Sequence, residues 1–540
     1  MSTQLNRRSF AAAAATLGAG LASSTAAAAT AANAPPLGVL DKLDVAALQA
    51  AMSAGRLSAV ELTRHCLKRI EALNLRGPQL RAVIELNPDA LAQARALDAH
   101  RRHKKSPQVR GPLHGIPVLL KDNIATADKM STTAGSLALA GLHAQRDAHI
   151  VERLRAAGAV ILGKTNLSEW ANIRSNRSSS GWSSRGGQTR NPHVLNRSPS
   201  GSSSGSAVAA AAHLAPLTVG TETDGSICSP AQACGVVGFK PTVGLVSRSG
   251  IIPISASQDT AGPIVRHVRD AALLLQAMAG TDPTDPVTLT QAATLPDFTA
   301  GLQPDALQGK RIGVIRAAVP NQPAVAALFE KALATLREQG AVLIDPMVIP
   351  NYAEARRGEF TVLIHELKDG VAKYLAAYQS DAPVKTLADV IAWNKAHAEQ
   401  AMPFFAQETL EAAVATQGIE APGYVEALAN CRRLSRAEGI DAMFAEHKLD
   451  AIVGPTGNIA WPIDHLLGDR FTGGGFGSMF AIAGYPHLTV PMGMVGGLPV
   501  GISFAAQAWQ DARVLALGHA FEQASPHLQA PRYLQETGLN

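Results

Sequence analysis

Short apolar runs alternate with amphipathic stretches along most of the chain. Ser58 and Glu61 have the spacing of a capping box, so they predict the start of a helix. The apolar positions after them fall on one helical face: Leu62, Cys66, Leu67 and Ile70. The periodicity also predicts helices over 147–157 and 324–339, whereas residues 281–296, rich in Thr, Asp and Pro, are typical of a surface connection.

Short apolar runs next to these helices predict buried strands. The runs are 159–162, 312–315, 341–344, 451–453 and 488–490. Strands that alternate with helices indicate an α/β fold in which helices cover a mainly parallel or mixed sheet. We expect one such domain over residues 37–540.

Composition narrows the class of protein. The 540 residues are 46% apolar and 17% charged, which excludes disorder of the whole chain, and four cysteines are too few for a disulfide-built scaffold. The net charge of +5 is weak for a chain of this length, so we expect no nucleic-acid partner. A monomeric enzyme is the expectation.

The amino terminus has the features of an export signal. Arg7 and Arg8 precede an alanine-rich apolar stretch over 11–22 and several small-residue cleavage sites. This pattern predicts a twin-arginine signal peptide over 1–31 that is cleaved, with the periplasm or beyond as the destination. No later segment offers 18 uninterrupted apolar residues, so we expect no membrane span in the mature form.

Two motif matches lack their structural context. Residues 158–165 fit the phosphate-loop pattern G-x-x-x-x-G-K-[ST], but the intervening Ala-Val-Ile-Leu is typical of a strand. Residues 201–205 fit G-x-S-x-G with Ser203 at the nucleophile position, yet the preceding segment is polar and broken by Pro192 and Pro199. Neither a nucleotide site nor an esterase elbow is expected, and no histidine spacing suits a metal.

Three separated segments carry stronger candidate chemistry. Lys121 closes the apolar run 118–120, where burial would lower its pKa from about 10.4 and make it a base near neutral pH. A serine-dense turn covers 200–206, and Ser226 lies in the glycine-containing loop 220–226. Considered separately, none of these segments requires a catalytic role: Lys121 could be a lysine at the end of a strand, and the serines could be turn residues.

Together these segments resemble the amidase signature family. The matching segments run in order through most of the chain: 115–124, 158–166, 200–207, 220–226, 238–242, 483–486, 490–493 and 497–501. The resemblance implies a mixed central sheet covered by helices on both faces, with no cofactor and no metal.

The resemblance also implies a Ser–Ser–Lys triad. Lys121 would be the base, Ser202 the bridging serine and Ser226 the nucleophile, and the Gly201–Ser202 bond would be cis. The oxyanion would be held by backbone N–H groups of residues Thr223, Asp224, Gly225 and Ser226.

This chain departs from the usual family pattern at several places. Asp224 stands where glycine is commonest, which leaves the loop conformation and the role of its carboxylate open. Ser200 and Ser204 also replace usual glycines, and Ser203 is expected to hydrogen-bond behind the site and not to attack the substrate.

The substrate is predicted by resemblance alone. Segments 166–172, 181–192 and 460–462 resemble the bacterial peptide amidases of this family, which hydrolyse the carboxy-terminal amide of peptides. Trp170, Trp182 and Trp461 are candidates for the substrate pocket, although tryptophans are more often core residues.

Several alternatives and one question of pairing stay open. The alternatives are a small-molecule or fatty amide hydrolase, one chain of an amidotransferase, and a non-catalytic amide-binding protein. Sequence spacing does not decide whether Cys228 and Cys234 form a disulfide or remain free thiols.

Overall fold

A computed structural model describes residues 38–103, 109–292 and 294–537. The predicted signal peptide over 1–31 lies outside these residues and stays a prediction. The strands are β1 Val83–Leu86, β2 Pro117–Lys121, β3 Val160–Thr165, β4 Trp182–Ser183, β5 Gly187–Gln188, β6 Leu217–Glu222, β7 Val237–Lys240, β8 Thr260–Val265, β9 Arg311–Val314, β10 Val342–Ile344, β11 Ala451–Pro455, β12 His487–Val495 and β13 Leu498–Ala505.

Helices account for much of the remaining described chain. They are α1 Val45–Ser53, α2 Ala59–Ile70, α3 Ala90–Arg101, α4 His149–Ala156, α5 Ser204–Ala211, α6 Cys228–Ala233, α7 Val268–Met278, α8 Pro323–Glu338, α9 Tyr352–Tyr378, α10 Leu387–Ala396, α11 Ala398–Ala401, α12 Glu408–Ala415, α13 Pro422–Ser435, α14 Asp441–His447, α15 Gly477–Ala483 and α16 Asp511–Ala524. Within the described ranges, no helix combines the length and the apolar character needed to cross a membrane.

Eleven of the strands form one mixed sheet in the order β1-β3-β2-β6-β8-β7-β12-β13-β11-β9-β10. Strand β2 runs parallel to β3 and β6, whereas β6, β8, β7, β12 and β13 pair antiparallel in turn. Every residue of β2, β3, β6, β8 and β11 is buried, so both faces of the sheet are covered. The predicted α/β class is confirmed.

The elements predicted from local pattern appear with small shifts at their ends. Ser58 and Glu61 form the capping box of α2, and the predicted strand 159–162 is β3, displaced by a few residues. Because most of the phosphate-loop match at 158–165 lies in this strand, which is paired on both sides, its amides bond within the sheet and cannot surround a phosphate.

Most described residues of the segment 281–296 are exposed, as expected for a surface connection, but some of its polar residues are buried. It contains a short 3₁₀ helix over Pro286–Thr290, and Asp282, Asp285 and Thr288 are buried. Asp285 accepts a hydrogen bond from Nε of Arg248 at 2.9 Å. The polar composition of this segment therefore serves buried hydrogen bonds as well as solvent contact.

Candidate active site

Lys121 ends strand β2 with its side chain fully buried. Its Nζ donates to Ser202 Oγ at 2.8 Å, to Thr221 Oγ1 at 2.9 Å and to the Thr221 carbonyl at 3.1 Å. Thr221 lies in β6, the parallel neighbour of β2, so the sheet itself aligns these two residues. The three contacts direct the amine at Ser202, the candidate bridging serine.

Burial controls the charge of this lysine. Desolvation lowers the pKa of Lys121 to about 7, although the negative charges of Asp259 and Glu222 act in the opposite direction. Near neutral pH a large fraction of the amine is therefore unprotonated, and a neutral amine can accept a proton from Ser202.

The serine turn lies between the end of an irregular segment and helix α5. The Gly201–Ser202 peptide bond is cis, and Ser200 has a left-handed φ of 58°. Glycine adopts a left-handed backbone conformation without strain, whereas other residues rarely do. This gives a physical reason for the glycine that the family usually has at this position. Ser204 Oγ donates to the Ser200 carbonyl at 2.6 Å and fixes the turn.

Ser203 connects the serine turn to the loop that carries Ser226. Its backbone N–H donates to the Ser226 carbonyl at 3.1 Å, and its Oγ donates to the Thr221 carbonyl at 3.0 Å. The hydroxyl also accepts from the Thr221 N–H at 3.1 Å. With its hydroxyl engaged in this way, Ser203 supports the site and is not presented for attack.

Ser226 lies in the turn between β6 and α6, with 8% of its surface exposed. Glu222 Oε2 accepts from the N–H groups of Ile227 and Cys228 at 2.7 and 3.0 Å, and so holds the start of α6. Gly225 has φ +77°, a conformation in which a side chain would be strained, so glycine is required immediately before Ser226.

The turn leaves four backbone donors unused. Among the hydrogen bonds of the described chain, none is donated by the N–H groups of residues 223–226. Buried or half-buried donors without an acceptor are unusual in folded proteins, and such a group is suited to receive an oxyanion. Asp224 has no left-handed φ, so the loop accommodates it without backbone strain.

The structure joins two of the three candidate triad members directly. Lys121 hydrogen-bonds Ser202, whereas no described hydrogen bond links Ser226 Oγ to Ser202 Oγ. Ser203 instead connects the two segments through the backbone. Hydrogen bonds between catalytic groups commonly tighten only when substrate binds, so the geometry is compatible with Ser226 as the nucleophile.

A cavity of about 320 Å³ opens beside this cluster. Thr221, Thr223 and Asn123 are among the residues that line it. The rest of its lining is largely apolar and also includes charged groups: Ile251, Ile252, Pro253, Ile254, Tyr374, Arg146, Arg248, Lys373 and Asp259. The volume lies within the range of small-ligand sites.

The three tryptophans occupy different environments. Trp170 is 2% and Trp182 5% exposed, and neither lines this cavity. Trp182 packs edge-on against Phe404 and Phe405. Trp461 donates from Nε1 to Asp469 at 2.9 Å and lines a separate small cavity with Ser200.

The cysteines that flank the loop are free thiols. Cys228 and Cys234 are both buried, and burial raises the pKa of each thiol. Cys228 lies with Glu222 and His487 in a cluster whose ligand atoms are within 4.8 Å of one another. Burial raises the pKa of Glu222, and the positive charge of the nearby Lys240 opposes this rise. The negative charge of this cluster is therefore already balanced by a lysine of the chain.

Several residues at the site have no role in the sequence-based prediction. Thr221 and Asn123 lie inside the quoted motifs, and their side chains meet at 3.0 Å beside Lys121. Thr223 Oγ1 donates to Asp259 at 2.5 Å. Asp259 and Glu359 come from distant segments, and no local pattern marks either as part of the site.

Comparisons with known proteins identify the family. The Amidase family model matches residues 61–515. Native peptide amidase from Stenotrophomonas maltophilia is 52% identical, with 91% of this chain and 98% of that one covered and a TM-score of 0.87.

More distant relatives show how broad the family is. An Arabidopsis thaliana protein named as an amidase is 43% identical over 497 residues, 90% of this chain and 91% of its own length. A glutamyl-tRNA(Gln) amidotransferase chain from Chloroflexus aurantiacus is 36% identical over 511 residues, 91% of this chain and 99% of its own. The family match and these likenesses establish that the chain belongs to the amidase signature family of hydrolases.

Proposed function

We propose that this amidase hydrolyses the carboxy-terminal amide of peptides, with Ser226 as nucleophile, Ser202 as relay and Lys121 as base. The observation that carries the chemistry is the buried Lys121 amine, directed at Ser202 Oγ at 2.8 Å. An amine with a pKa of about 7 can take up and return a proton within one catalytic cycle.

Acylation begins with proton transfer along this relay. Lys121 accepts the proton of Ser202 while Ser202 accepts that of Ser226, and the Ser226 oxygen bonds to the amide carbon. The carbonyl electrons move to oxygen, where the free N–H groups of residues 223–226 can stabilise the charge. The proton then returns through Ser202 to the amide nitrogen, the C–N bond breaks, and ammonia leaves.

Deacylation uses the same groups in the same order. A water molecule gives its proton to Ser202 as its oxygen attacks the acyl-enzyme, and Lys121 again holds the transferred proton. Collapse of the second tetrahedral intermediate returns the proton to Ser226 and releases the carboxylic acid. No group outside the triad and the loop amides is needed for the balance of atoms and charge.

The substrate class is supported by the cavity and by the peptide amidase likeness. The cavity reaches Thr221 and Thr223, the residues beside Lys121 and at the start of the donor loop. Its apolar walls suit the acyl side of a peptide, whose terminal amide would be directed inward. The Stenotrophomonas maltophilia peptide amidase is similar over 98% of its length, and this favours peptide amides over smaller ones.

The experiment is mass spectrometry of a carboxy-amidated peptide incubated with the wild type and with Ser226→Ala. We expect the wild type to convert only the terminal amide to the acid, and Ser226→Ala to lose about 10³-fold or more of this rate. Ser53→Ala removes an exposed hydroxyl at the end of α1 and should match the wild type.

Other outcomes would redirect the proposal. Undiminished turnover by Ser226→Ala would reject Ser226 as nucleophile. Conversion of small or fatty amides but not of peptide amides would reject the substrate class and leave the triad intact. Release of ammonia from free glutamine alone would reject peptide amides as the substrate class and leave the triad intact.

A further inference from the structure

The side chain of Thr223 connects the donor loop, residues 223–226, to a buried carboxylate. Thr223 Oγ1 donates to Asp259 at 2.5 Å, and the two residues are 7% and 8% exposed. Gln258, the residue before Asp259, donates from Nε2 to the Thr223 carbonyl at 3.4 Å. The first residue of the donor loop is therefore held through its side chain and through its carbonyl.

The antiparallel register of two strands brings Thr223 and Asp259 together. Strands β6 and β8 pair side by side, and Glu222 at the end of β6 lies opposite Thr260 at the start of β8. In an antiparallel pair the next residues outward, here Thr223 and Asp259, continue the same register. Thr221, which accepts hydrogen bonds from the proposed base, also belongs to β6. One pair of strands therefore positions both the base and the start of the donor loop.

Asp259 also holds one wall of the cavity beside the site. Its Oδ2 accepts from the N–H groups of Ile254 and Ser255 at 2.8 and 2.9 Å, whereas its Oδ1 accepts from Thr223. Ile254 and Ser255 belong to the segment 251–255, which lines the cavity and which we call the cavity wall. Asp259 therefore uses one oxygen for the donor loop and the other for the cavity wall, and it fixes the spacing between them.

The cavity wall has a second anchor on helix α9. Glu366 accepts from the hydroxyl of Ser255 and, through Oε2, from the N–H of Ser257 at 3.0 Å. Tyr424 on α13 donates to the other oxygen of Glu366 at 2.7 Å. None of these bonds involves Thr223, so a variant without the Thr223 hydroxyl keeps them, together with the two backbone hydrogen bonds to the aspartate. Such a variant frees the donor loop and leaves the cavity wall in place.

We propose that Asp259 is a positioning residue, which sets the spacing between the oxyanion donors and the cavity wall that receives the acyl group. The inference rests on the proposed function, because it requires that the N–H groups of the donor loop bind the oxyanion. Asp259 forms no bond to the substrate in this role and exchanges no proton with it. Its effect on the rate passes through the Thr223 hydroxyl and the backbone of the loop.

This spacing matters most in the transition state. An oxyanion is stabilised when its donors lie about 2.7–3.1 Å from the oxygen, and a displacement of about 1 Å can cost about 10²-fold in rate. The cavity wall holds the acyl group before and during the reaction, so the substrate binds almost as tightly when only the donor loop moves. Loss of the link should therefore lower kcat much more than it raises KM.

Two substitutions at Thr223 separate the hydroxyl from the rest of the side chain. Thr223→Val replaces the hydroxyl by a methyl group, and we expect kcat to fall about 10-fold or more with little change in KM. Thr223→Ser keeps the hydroxyl and should recover most of the lost kcat. Wild-type kcat in Thr223→Val would overturn the proposal, and so would a Thr223→Ser variant as slow as Thr223→Val.

A double-mutant cycle tests whether Asp259 acts through Thr223. Asp259→Ala removes the acceptor, and kcat should fall at least as far as in Thr223→Val. The hydroxyl then has no partner to lose, so Thr223→Val added to Asp259→Ala should lower kcat by less than about 3-fold more. Losses that multiply in full would show two independent effects and would contradict the proposal. If Asp259→Ala does not fold, the two Thr223 variants decide the question by themselves.

The matched control is Thr290→Val, the same substitution at an exposed threonine whose hydroxyl donates to the nearby Val287 carbonyl. It should match the wild type in kcat and KM. The kinetics can use whichever amide the wild type hydrolyses, so rejection of the peptide substrate leaves this test valid. Undiminished turnover by Ser226→Ala would reject the proposed function, whereas wild-type kcat in Thr223→Val would reject the positioning role alone.

Discussion

At the scale of single residues, the proposed catalysis depends on one lysine whose positive charge is unfavourable in its buried position. Lys121 has no carboxylate among its hydrogen-bond partners in the described chain; it contacts only the oxygens of Ser202 and Thr221. Neutral partners satisfy the amine without holding its proton, so desolvation dominates its pKa. A carboxylate in place of Thr221 would stabilise the ammonium and remove the base.

The pH dependence of kcat/KM should show this lysine directly. Because burial lowers the pKa of Lys121 to about 7, the amine is neutral above that pH and the rate should rise through it. Lys121→Arg, which stays protonated, should lose about 10²- to 10⁴-fold. The measurement is kcat/KM between pH 5 and 9 in roughly equal steps, and a flat profile on the acid side would mean that another group is the base.

At the scale of elements, the site depends on how closely helix α5 approaches the sheet. All residues of α5 are buried, and Gly205 N donates to the Asn166 carbonyl at 2.9 Å, next to the end of β3. A Cβ added at Gly205 would lie 2.3 Å from the Ala82 carbonyl oxygen and 2.4 Å from that of Asn166. These are backbone atoms, so they cannot move aside as a flexible side chain can.

Gly205→Ala should therefore damage both stability and activity. We expect a loss of about 1–3 kcal/mol in the free energy of unfolding, since the helix must shift from the sheet and take Ser202 with it. The matched control is Gly423→Ala in α13, where an added Cβ meets nothing within 4 Å and should stabilise by up to about 1 kcal/mol. Denaturant unfolding together with kcat decides this; equal stability of the two variants would contradict the close approach.

At the scale of the whole molecule, the fold separates its thiols from solvent and from one another. Cys66, Cys228, Cys234 and Cys431 are free and buried in α2, α6, the turn after α6, and α13. Burial raises the pKa of Cys66 to about 12 and that of Cys431 to about 11. A thiol that is both inaccessible and protonated reacts slowly with oxidants and with thiol reagents.

Titration with a disulfide reagent should find no reactive thiol in the native protein and four after unfolding without reductant. A reducing agent should leave the thermal midpoint unchanged, because no disulfide contributes to stability. Two thiols after unfolding would show that the purified protein contains one disulfide, and Cys228 and Cys234, the pair left open by the sequence, would be the first to check.

An interaction could be predicted from the sequence when its partners lie close together along the chain. The capping box of α2 and the strand at β3 depend on neighbours along the chain, so periodicity predicts them. Lys121 and Ser202 are far apart in sequence, and only the family resemblance links them. The hydrogen bond from Thr223 to Asp259 has no such guide, because it joins segments that local pattern cannot bring together.

The order of strands in the sheet divides it into two sequence halves. Strands β1 to β8 of this sheet occupy one side and β9 to β13 the other, and the halves meet where β7 pairs with β12 at three positions. All three proposed triad residues belong to the first half. During synthesis the edge of β7 stays unpaired until residues 487–489 have been made, and an open strand edge invites association between chains. Aggregation of newly made protein should therefore depend on how fast the second half follows the first.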